Sequence, residues 1–455
     1  MLLGRTSELK HLNTYYDQDG SQIMVVYGQR NVGKTELLRQ FVADKPYYYY
    51  RARSASEREQ QYQWGRELGK ADIKLPKYPS FSEIFKSIIL NKENKKVIII
   101  DEFQYIIKSS DNFMKELVSF VHDYWQSQQV MIILASSSIG WVENSMISKI
   151  GDAAYELSSF LKIKELGFDY FMEFFPGFTM EQCIEGYAVL GGIPGLWEHF
   201  SDKVSIRENI CRYIIDSNTY LRFEGQRMVE EELRETNVYN TILASIAAGN
   251  HKLNDLYLHT EFSRAKISVY LKNLMELEIV EKVFSYDTEG KENTQKGIYR
   301  ISNHFVDFYF TYIYPNLTDL ETMMPTEFYK KHVSPTFRSY VAEYFKTVCR
   351  QHIEKWNKWG QLPIQIDRIG EWVGKLGTID VIAQNEKGET IVSICNWDKP
   401  MMRYDDYEWL LFCCKEAKIK VDYVYLFSVK RFDEKLNLEA KVKNNIKLIC
   451  LDDML

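Results

Sequence analysis

The stretch IMVVYGQRNVGKTELLRQF, residues 23–41, constrains the fold more than any other part of the chain. An apolar strand runs directly into G-x-x-x-x-G-K-T, which runs directly into an amphipathic helix. The glycines let backbone N–H groups point at phosphate oxygens, the lysine adds a cation at the β- and γ-phosphates, and the threonine hydroxyl suits Mg²⁺. The predicted binding residues are Gly28, Gln29, Arg30, Asn31, Val32, Gly33, Lys34, Thr35 and Glu36.

A second apolar run, KKVIIIDEFQYI at residues 95–106, ends in the acid pair Asp101 and Glu102. Continuous Val and Ile are typical of a parallel strand that is buried on both faces, and ligands bind at the carboxyl end of such strands. Asp101 is predicted to hold Mg²⁺ through water, and Glu102 to orient and deprotonate the attacking water. The structural alternative is that Asp101 only caps the following helix.

A third strand, QQVMIILASSS at residues 128–138, ends in serines. A polar side chain at this position can contact the γ-phosphate, and Ser137 is our candidate. The alternative, that the serine is the N-cap of the next helix, is equally compatible with the sequence.

Length and composition limit the remaining function classes. A chain of 455 residues is too long for one core and indicates two or three domains. The net charge of −6 argues against a protein whose whole surface is basic and binds nucleic acid, although a local basic patch is still compatible with the sequence. No secretory segment or membrane-spanning run is visible, and the seven cysteines form no CxxC pair, so we expect a reduced, cytoplasmic protein without a membrane partner.

Two further motifs carry a family resemblance. LLGRTSEL at residues 2–9 and VLGGIPGLW at residues 189–197 resemble motifs of AAA+-type P-loop ATPases related to the STAND and origin-recognition proteins. The resemblance spans residues 1–312 and implies that Gly4 and Arg5 lie against the adenine of ATP and that Pro194 belongs to a nucleotide-sensing element. GGIPGLW contains no arginine, so the sequence does not support sensing by a lid arginine.

Residues 236–312 parse as three helices followed by a two-stranded wing, which looks like a winged helix. Ser263 is the predicted N-cap of its third helix, and Leu271, Leu274 and Leu277 are the predicted buried stripe. Two functions stay open, which are docking on double-stranded DNA and structural packing. The predicted basic surface consists of Arg264, Lys266, Ser268, Tyr270 and Lys272, with Lys291 and Lys296 in the wing.

The C-terminal part resembles PD-(D/E)XK nucleases through IGEW, IDVIA and ICNW, and TIDVIAQNEKGETIVSICNW predicts a hairpin that turns at Lys387-Gly388. Glu343 and Asp380 match the nuclease pattern. Thr378, Ile394 and Asn396 stand where the family has a Glu, a metal-binding acid and a Lys. Cleavage needs oxygen ligands and a cation near the attacking water, so we expect a retained fold without nuclease activity.

The sequence thus predicts an α/β protein with a P-loop NTPase core, helical lid, winged helix and restriction-endonuclease-like α/β domain. It predicts an ATP-hydrolysing conformational switch that uses ATP and Mg²⁺, with Glu102, Lys34 and Ser137 as catalytic residues. The alternatives are a DNA- or protein-docking module with negligible turnover and an active ATP-dependent nuclease; a protein partner for the C-terminal domain and an oligomer stay open. The predicted boundaries are 1–164 for the core, 165–235 for the lid, 236–312 for the winged helix and 313–455 for the C-terminal domain.

Overall fold

The computed structural model describes residues 3–89, 95–124, 129–230, 233–288 and 297–454. Five parallel strands lie side by side in the order β5-β1-β4-β3-β2. The three central strands β1, β4 and β3 are the apolar runs, and they are buried because helices cover both faces of a parallel sheet. The strands are β1 (Gln22–Tyr27), β2 (Tyr47–Arg51), β3 (Lys96–Asp101), β4 (Val130–Ser136) and β5 (Ser159–Lys162).

Alternate residues of each central strand pack into two separate apolar clusters, as the period of two in a strand requires. Val25, Ile98 and Ile100 belong to one cluster, whereas Val26 and Ile99 belong to the other. The helices of this part are α1 (Thr6–Tyr16), α2 (Lys34–Phe41), α3 (Glu57–Gly69), α4 (Phe81–Ile89), α5 (Gln104–Ser109), α6 (Phe113–Tyr124), α7 (Ile139–Trp141) and α8 (Ile147–Ile150).

The chain divides into two compact units. The first contains Met1–Leu166 together with Ile193–Gly195, and the second contains Gly167–Gly192 and Leu196–Leu455. The first division falls two residues after the boundary that the sequence predicts for the core. The second unit holds the segments that the sequence assigns to the winged helix and the C-terminal domain, together with the predicted lid except residues 165–166 and 193–195.

The middle of the chain is helical, as its sequence predicts. Three helices and the antiparallel strands β6 (Val280–Val283) and β7 (Ile298–Ile301) follow one another where the sequence predicts three helices and a wing. Lys291 and Lys296 lie outside the described residues. The helices up to this sheet are α9 (Phe168–Phe174), α10 (Met180–Leu190), α11 (Pro194–Trp197), α12 (Ile206–Ile210), α13 (Leu221–Glu230), α14 (Thr236–Ala247), α15 (Leu253–Thr260) and α16 (Arg264–Glu276).

Local signals around α16 agree with the sequence in most details. The Ser263 hydroxyl accepts the Lys266 N–H at 3.2 Å, so Ser263 is the N-cap. Leu271 and Leu274 are fully buried, whereas Leu277 follows the end of the helix and is only half-buried. The predicted apolar stripe is therefore one residue shorter than the helical spacing suggested.

The C-terminal sheet has the order β12-β11-β10-β9-β8. Strands β8 (Arg368–Val373), β9 (Thr378–Gln384) and β10 (Thr390–Asn396) are antiparallel, and β11 (Tyr423–Ser428) and β12 (Ile446–Cys450) continue parallel to β10. The hairpin predicted for β9 and β10 is confirmed, and Gly388 supplies the positive φ of +79° that its turn needs. The helices are α17 (His304–Phe308), α18 (Leu317–Thr322), α19 (Pro325–Phe328), α20 (Phe337–Lys358), α21 (Tyr404–Glu416) and α22 (Glu434–Val442).

None of the helices in the described part of the chain is both long enough and apolar enough to cross a bilayer.

Candidate nucleotide-binding site

Two glycines shape the loop between β1 and α2. A Cβ atom on Gly28 would lie 2.3 Å from the Ile163 carbonyl oxygen, so only glycine fits where the loop leaves the sheet. Gly33 has a φ of +101° immediately before α2, a conformation that L side chains rarely adopt. The loop is thus folded so that the N-terminus of α2 follows it directly, the arrangement that binds phosphate.

Lys34 begins α2, and its side chain folds back over the loop. Its ammonium donates hydrogen bonds to the carbonyl oxygens of Gly28 and Gln29, both at 2.8 Å, and the residue is only 7% exposed. Thr35 is exposed, and so is Glu36, which forms an ion pair with Arg39 at 2.7 Å. The predicted phosphate-binding cation and the predicted Mg²⁺-binding hydroxyl therefore lie next to each other at one helix end.

Asp101 ends β3 at the carboxyl edge of the sheet, and it is buried. Its Oδ2 accepts a hydrogen bond from the Tyr49 hydroxyl at 2.5 Å, and its Oδ1 accepts the Glu102 N–H at 3.0 Å. Burial raises the pKa of Asp101, and the Tyr49 hydrogen bond and the Lys34 charge act in the opposite direction. The sequence prediction missed Tyr49. Its only signal in the sequence is a run of tyrosines in which it stands two residues before Arg51, and Arg51 is the residue that pairs with Asp101 in the sheet.

Glu102 has a φ of +55°, which is strained for a residue with a side chain. Its Oε2 accepts hydrogen bonds from the Ser137 hydroxyl at 2.8 Å, the Ser137 N–H at 3.2 Å and the Gln104 side-chain amide at 2.6 Å. Ser138, not Ser137, occupies the N-cap position of α7. The structure therefore brings the predicted base and the predicted serine together, and it does not support the N-cap alternative for Ser137.

The two motifs of the family resemblance contact the loop through Arg5 and Gly195. The buried Arg5 guanidinium donates to the Val32 carbonyl at 2.8 Å and to Glu8 at 3.0 Å. The Gly195 N–H, next to Pro194, donates to the Asn31 carbonyl at 3.0 Å. Both motifs of the family resemblance thus touch the phosphate loop itself. Adenine contact by Gly4 and Arg5 stays a prediction, as does sensing by Pro194.

The oxygen ligands at this edge of the sheet fit a Mg²⁺ ion that is also bound by the phosphates of a nucleotide. The described residues contain no group of three or more His, Cys, Asp or Glu side chains that could enclose a metal ion. Mg²⁺ keeps several waters and is commonly held by one or two carboxylates together with substrate phosphates. The buried Asp101 carboxylate and the exposed Thr35 hydroxyl match that requirement.

A second cluster of charged groups lies in the C-terminal domain. The Lys346 ammonium on α20 lies 3.0 Å from both Glu343 carboxylate oxygens and 3.5 Å from Asp380 Oδ1. The other Asp380 oxygen accepts the Cys395 N–H at 2.9 Å. Burial raises the pKa of Asp380 in spite of Lys346, and the two carboxylates hold the pKa of Lys346 above its ordinary value against the effect of burial.

Lys346 supplies a positive charge near Asp380, where the sequence alone predicts that the charge is missing. Asn396 does lack the charge of the family's lysine, and its amide instead bonds to Lys399 backbone atoms at 3.1 and 3.2 Å. A cation nevertheless stands beside Asp380, because α20 supplies it from another part of the chain. Ile394 packs against the apolar cluster of this domain and offers no metal ligand, as predicted.

Comparison with known proteins identifies the N-terminal part. Residues 2–200 match a family described as ATPase domains predominantly from Archaea. Residues 2–200 therefore resemble an ATPase domain. Residues 309–408 match a second family, described as archaeal and bacterial proteins of unknown function, so this ATPase domain precedes a domain that recurs in other proteins.

One curated relative aligns with most of the chain. It is an uncharacterised protein of Methanocaldococcus jannaschii, MJECL04, with 29% identity over 388 residues that make up 85% of each chain. Among solved structures, the Walker-type ATPase paby2304 of Pyrococcus abyssi has 17% identity and a TM-score of 0.47, covering 68% of this chain and 96% of that one. The Aeropyrum pernix ORC2 protein has 14% identity and a TM-score of 0.46, covering 70% and 95%.

Proposed function

We propose that this ATPase domain hydrolyses the γ-phosphate of ATP and that the chain uses the reaction as a conformational switch. The observation that carries the proposal is the contact between Glu102 and Ser137, at the carboxyl ends of β3 and β4, beside the buried Asp101. An acid that is held by a neighbouring strand end is in the position from which a general base acts on the attacking water.

Each residue of the site has its own role in the proposed hydrolysis of ATP. The loop N–H groups and Lys34 bind and orient the β- and γ-phosphates, while Thr35 and Asp101 would hold Mg²⁺. When bound, Mg²⁺ would neutralise part of the charge that develops on the phosphate oxygens. Glu102 accepts a proton from water as the water oxygen bonds to the γ-phosphorus, and the bond from that phosphorus to the β–γ bridging oxygen breaks to release ADP.

A docking module with negligible turnover is the rival function. Such a protein would bind ATP through the same loop, so binding alone does not distinguish it from an enzyme. The test is phosphate release from Mg·ATP by the wild-type protein and by Glu102→Gln in parallel. Release by the wild type that the variant lacks supports hydrolysis, and no release by either protein supports the docking module.

We further propose that α14–α16 with β6 and β7 form a winged helix that associates with double-stranded DNA. Arg264, Lys266 and Lys272 are exposed on α16, which supports phosphate contact. The Tyr270 hydroxyl, in contrast, bonds to Glu235, and Lys272 lies 3.7 Å from Glu276, so part of the predicted basic surface is already neutralised. Structural packing therefore stays the alternative.

Duplex binding through α16 is expected to weaken steeply with salt, because contacts from Lys and Arg to phosphate release counterions. Fluorescence anisotropy with a labelled duplex, with and without ATP, measures this dependence. Lys266→Gln combined with Lys272→Gln should reduce the slope of log affinity against log salt by about 1.8, at roughly 0.9 per contact. Absence of duplex binding at low salt in either nucleotide state would leave only the packing role.

The C-terminal domain is proposed to be a nuclease-like fold that has lost cleavage and serves for docking. The order of α20, three antiparallel strands, α21, β11, α22 and β12 supports the fold assignment. Loss of cleavage is supported by Ile394, which lacks an oxygen ligand, and by Lys346, which already pairs with both Glu343 and Asp380. An active ATP-dependent nuclease remains the alternative function.

We expect no metal-dependent cleavage of plasmid, single-stranded DNA or RNA in Mg²⁺ or Mn²⁺, with or without ATP. Two carboxylates that share one ammonium hold Mg²⁺ weakly, because the metal must displace Lys346 and fill its shell with extra waters. Gel analysis of the purified protein beside Asp380→Ala is the measurement. Cleavage that disappears in Asp380→Ala would return the domain to the nuclease class.

A further inference from the structure

A groove in the second unit concentrates positive charge. Its walls are the N-terminal ends of α15 and α16, the β6–β7 sheet and the turn between β8 and β9, and its volume is about 1130 Å³. Among the described residues that line it are four cations, Lys252, Arg264, Lys282 and Lys375, and one acid, Asp287. We call it the basic groove. Its net charge of +3, four cations less one acid, contrasts with a chain whose net charge is −6.

The four cations share a second property. Within the part of the chain that the structure describes, none of them forms an ion pair with a carboxylate, although many other lysines and arginines do. Like charges that converge without counter-ions repel one another, and the repulsion is relieved when an anion binds among them. The groove is therefore built for a ligand with several negative charges.

Two of the cations are held in position by their neighbours. The Arg264 guanidinium donates a hydrogen bond to the Asn254 side-chain oxygen at 2.5 Å. It also lies 4.1 Å from the centroid of the Tyr257 ring, and these two contacts orient it. The Lys282 ammonium lies 5.0 Å from the Phe284 ring centroid and 5.5 Å from that of Tyr299. Ordering before binding lowers the entropic cost of contact with a ligand.

The other two cations, Lys252 and Lys375, are exposed. Lys252 precedes α15 as its N-cap, and Lys375 lies in the Gly374–Gly377 turn, which the Gly374 N–H closes on the Gly377 carbonyl at 2.9 Å. Neither side chain packs in the core, so each can be replaced without disturbing the fold. The groove thus combines two cations that neighbouring side chains orient with two cations at exposed positions.

We propose that the basic groove binds a single strand of nucleic acid through its phosphates. Cations that come from four separate segments match a chain of regularly spaced anions better than one small ligand, and the volume exceeds the usual range for small-molecule pockets, roughly 300–1,000 Å³. Single-stranded nucleic acid carries such a row of phosphates, and positively charged grooves commonly bind it along its backbone. This proposal goes beyond the duplex association proposed for α16. The groove shares Arg264 and Ser268 with the surface of that helix.

The test is fluorescence anisotropy of the full-length protein with a labelled oligodeoxythymidine, measured over a range of salt. The groove variant is Lys252→Gln combined with Lys375→Gln. We expect it to bind the strand about tenfold or more weakly at low salt, with a salt slope reduced by about 1.4, at roughly 0.7 per lost phosphate contact. The control is Lys387→Gln combined with Lys430→Gln, two exposed lysines outside the groove that give the same change in net charge.

The outcomes separate this proposal from the duplex proposal. Weaker strand binding by the groove variant and unchanged binding by the control support the groove. Equal strand affinity in the wild type and the groove variant, an equal loss in the control, or no strand binding by the wild type overturns it. Duplex binding that depends on Lys266 and Lys272 but not on Lys252 and Lys375 leaves the α16 proposal standing by itself.

Discussion

Glu102→Gln is expected to slow phosphate release from ATP by a factor of about 10²–10⁴, the usual contribution of a general base. ATP affinity should stay close to that of the wild type, because Glu102 is held by Ser137 and Gln104 and is not part of the phosphate loop. The amide has nearly the shape of the carboxylate, and its oxygen can still accept the Ser137 hydrogen bond. It cannot take the proton of the attacking water, so the chemical step alone is affected.

Single-turnover phosphate release and isothermal titration with ATP measure the two quantities separately. Glu59→Gln is the matched control, since Glu59 is exposed on α3 and the change removes the same charge. A rate that Glu102→Gln leaves unchanged would show that Glu102 is not the base and would leave only the metal-binding role of Asp101. Parallel loss of rate and affinity would instead indicate that the variant has disturbed the loop.

Lys34→Ala should weaken ATP binding by about 1.5–3 kcal/mol, the range for hydrogen bonds to charged groups, which corresponds to roughly 10- to 150-fold. The ammonium is the predicted counter-ion of the β- and γ-phosphates. It also holds the Gly28 and Gln29 carbonyls at 2.8 Å, so its removal loosens the loop at the same time as it removes the charge. Both effects act in the same direction.

Isothermal titration with ATP in Mg²⁺ gives the affinity, and thermal unfolding without nucleotide reports whether the variant is folded. Arg39→Ala on the same helix is the control, because the Arg39 side chain is 71% exposed and pairs with Glu36 at the surface. An affinity that Lys34→Ala leaves equal to the wild type would contradict phosphate binding by this loop.

Much of the ATPase domain follows from local sequence. The strand, the two glycines and the helix of residues 23–41 are adjacent in the chain, so their spacing alone predicts the loop. The same holds for β3 with its terminal acids, for the hairpin of β9 and β10 and for the Ser263 cap of α16. In each case the residues that interact lie within a few positions of one another, and periodicity or turn chemistry reports them.

The environment of each site residue was decided only by tertiary structure. Tyr49 reaches Asp101 because β2 pairs with β3, and Gly195 reaches Asn31 across more than 160 positions of sequence. Lys346 stands beside Asp380 although the sequence places no lysine at the family's position.

The basic groove is the clearest example of a feature that only the tertiary structure decides. Its four cations come from a helix cap, a helix start, a strand and a turn, between positions 252 and 375, and no local pattern joins them. Sequence determines which segments are strands, loops and helices, because those choices depend on neighbouring residues and on hydrophobic period. Which charges meet depends on how distant segments pack, and the free energy of that packing is shared among many apolar contacts that no single motif records.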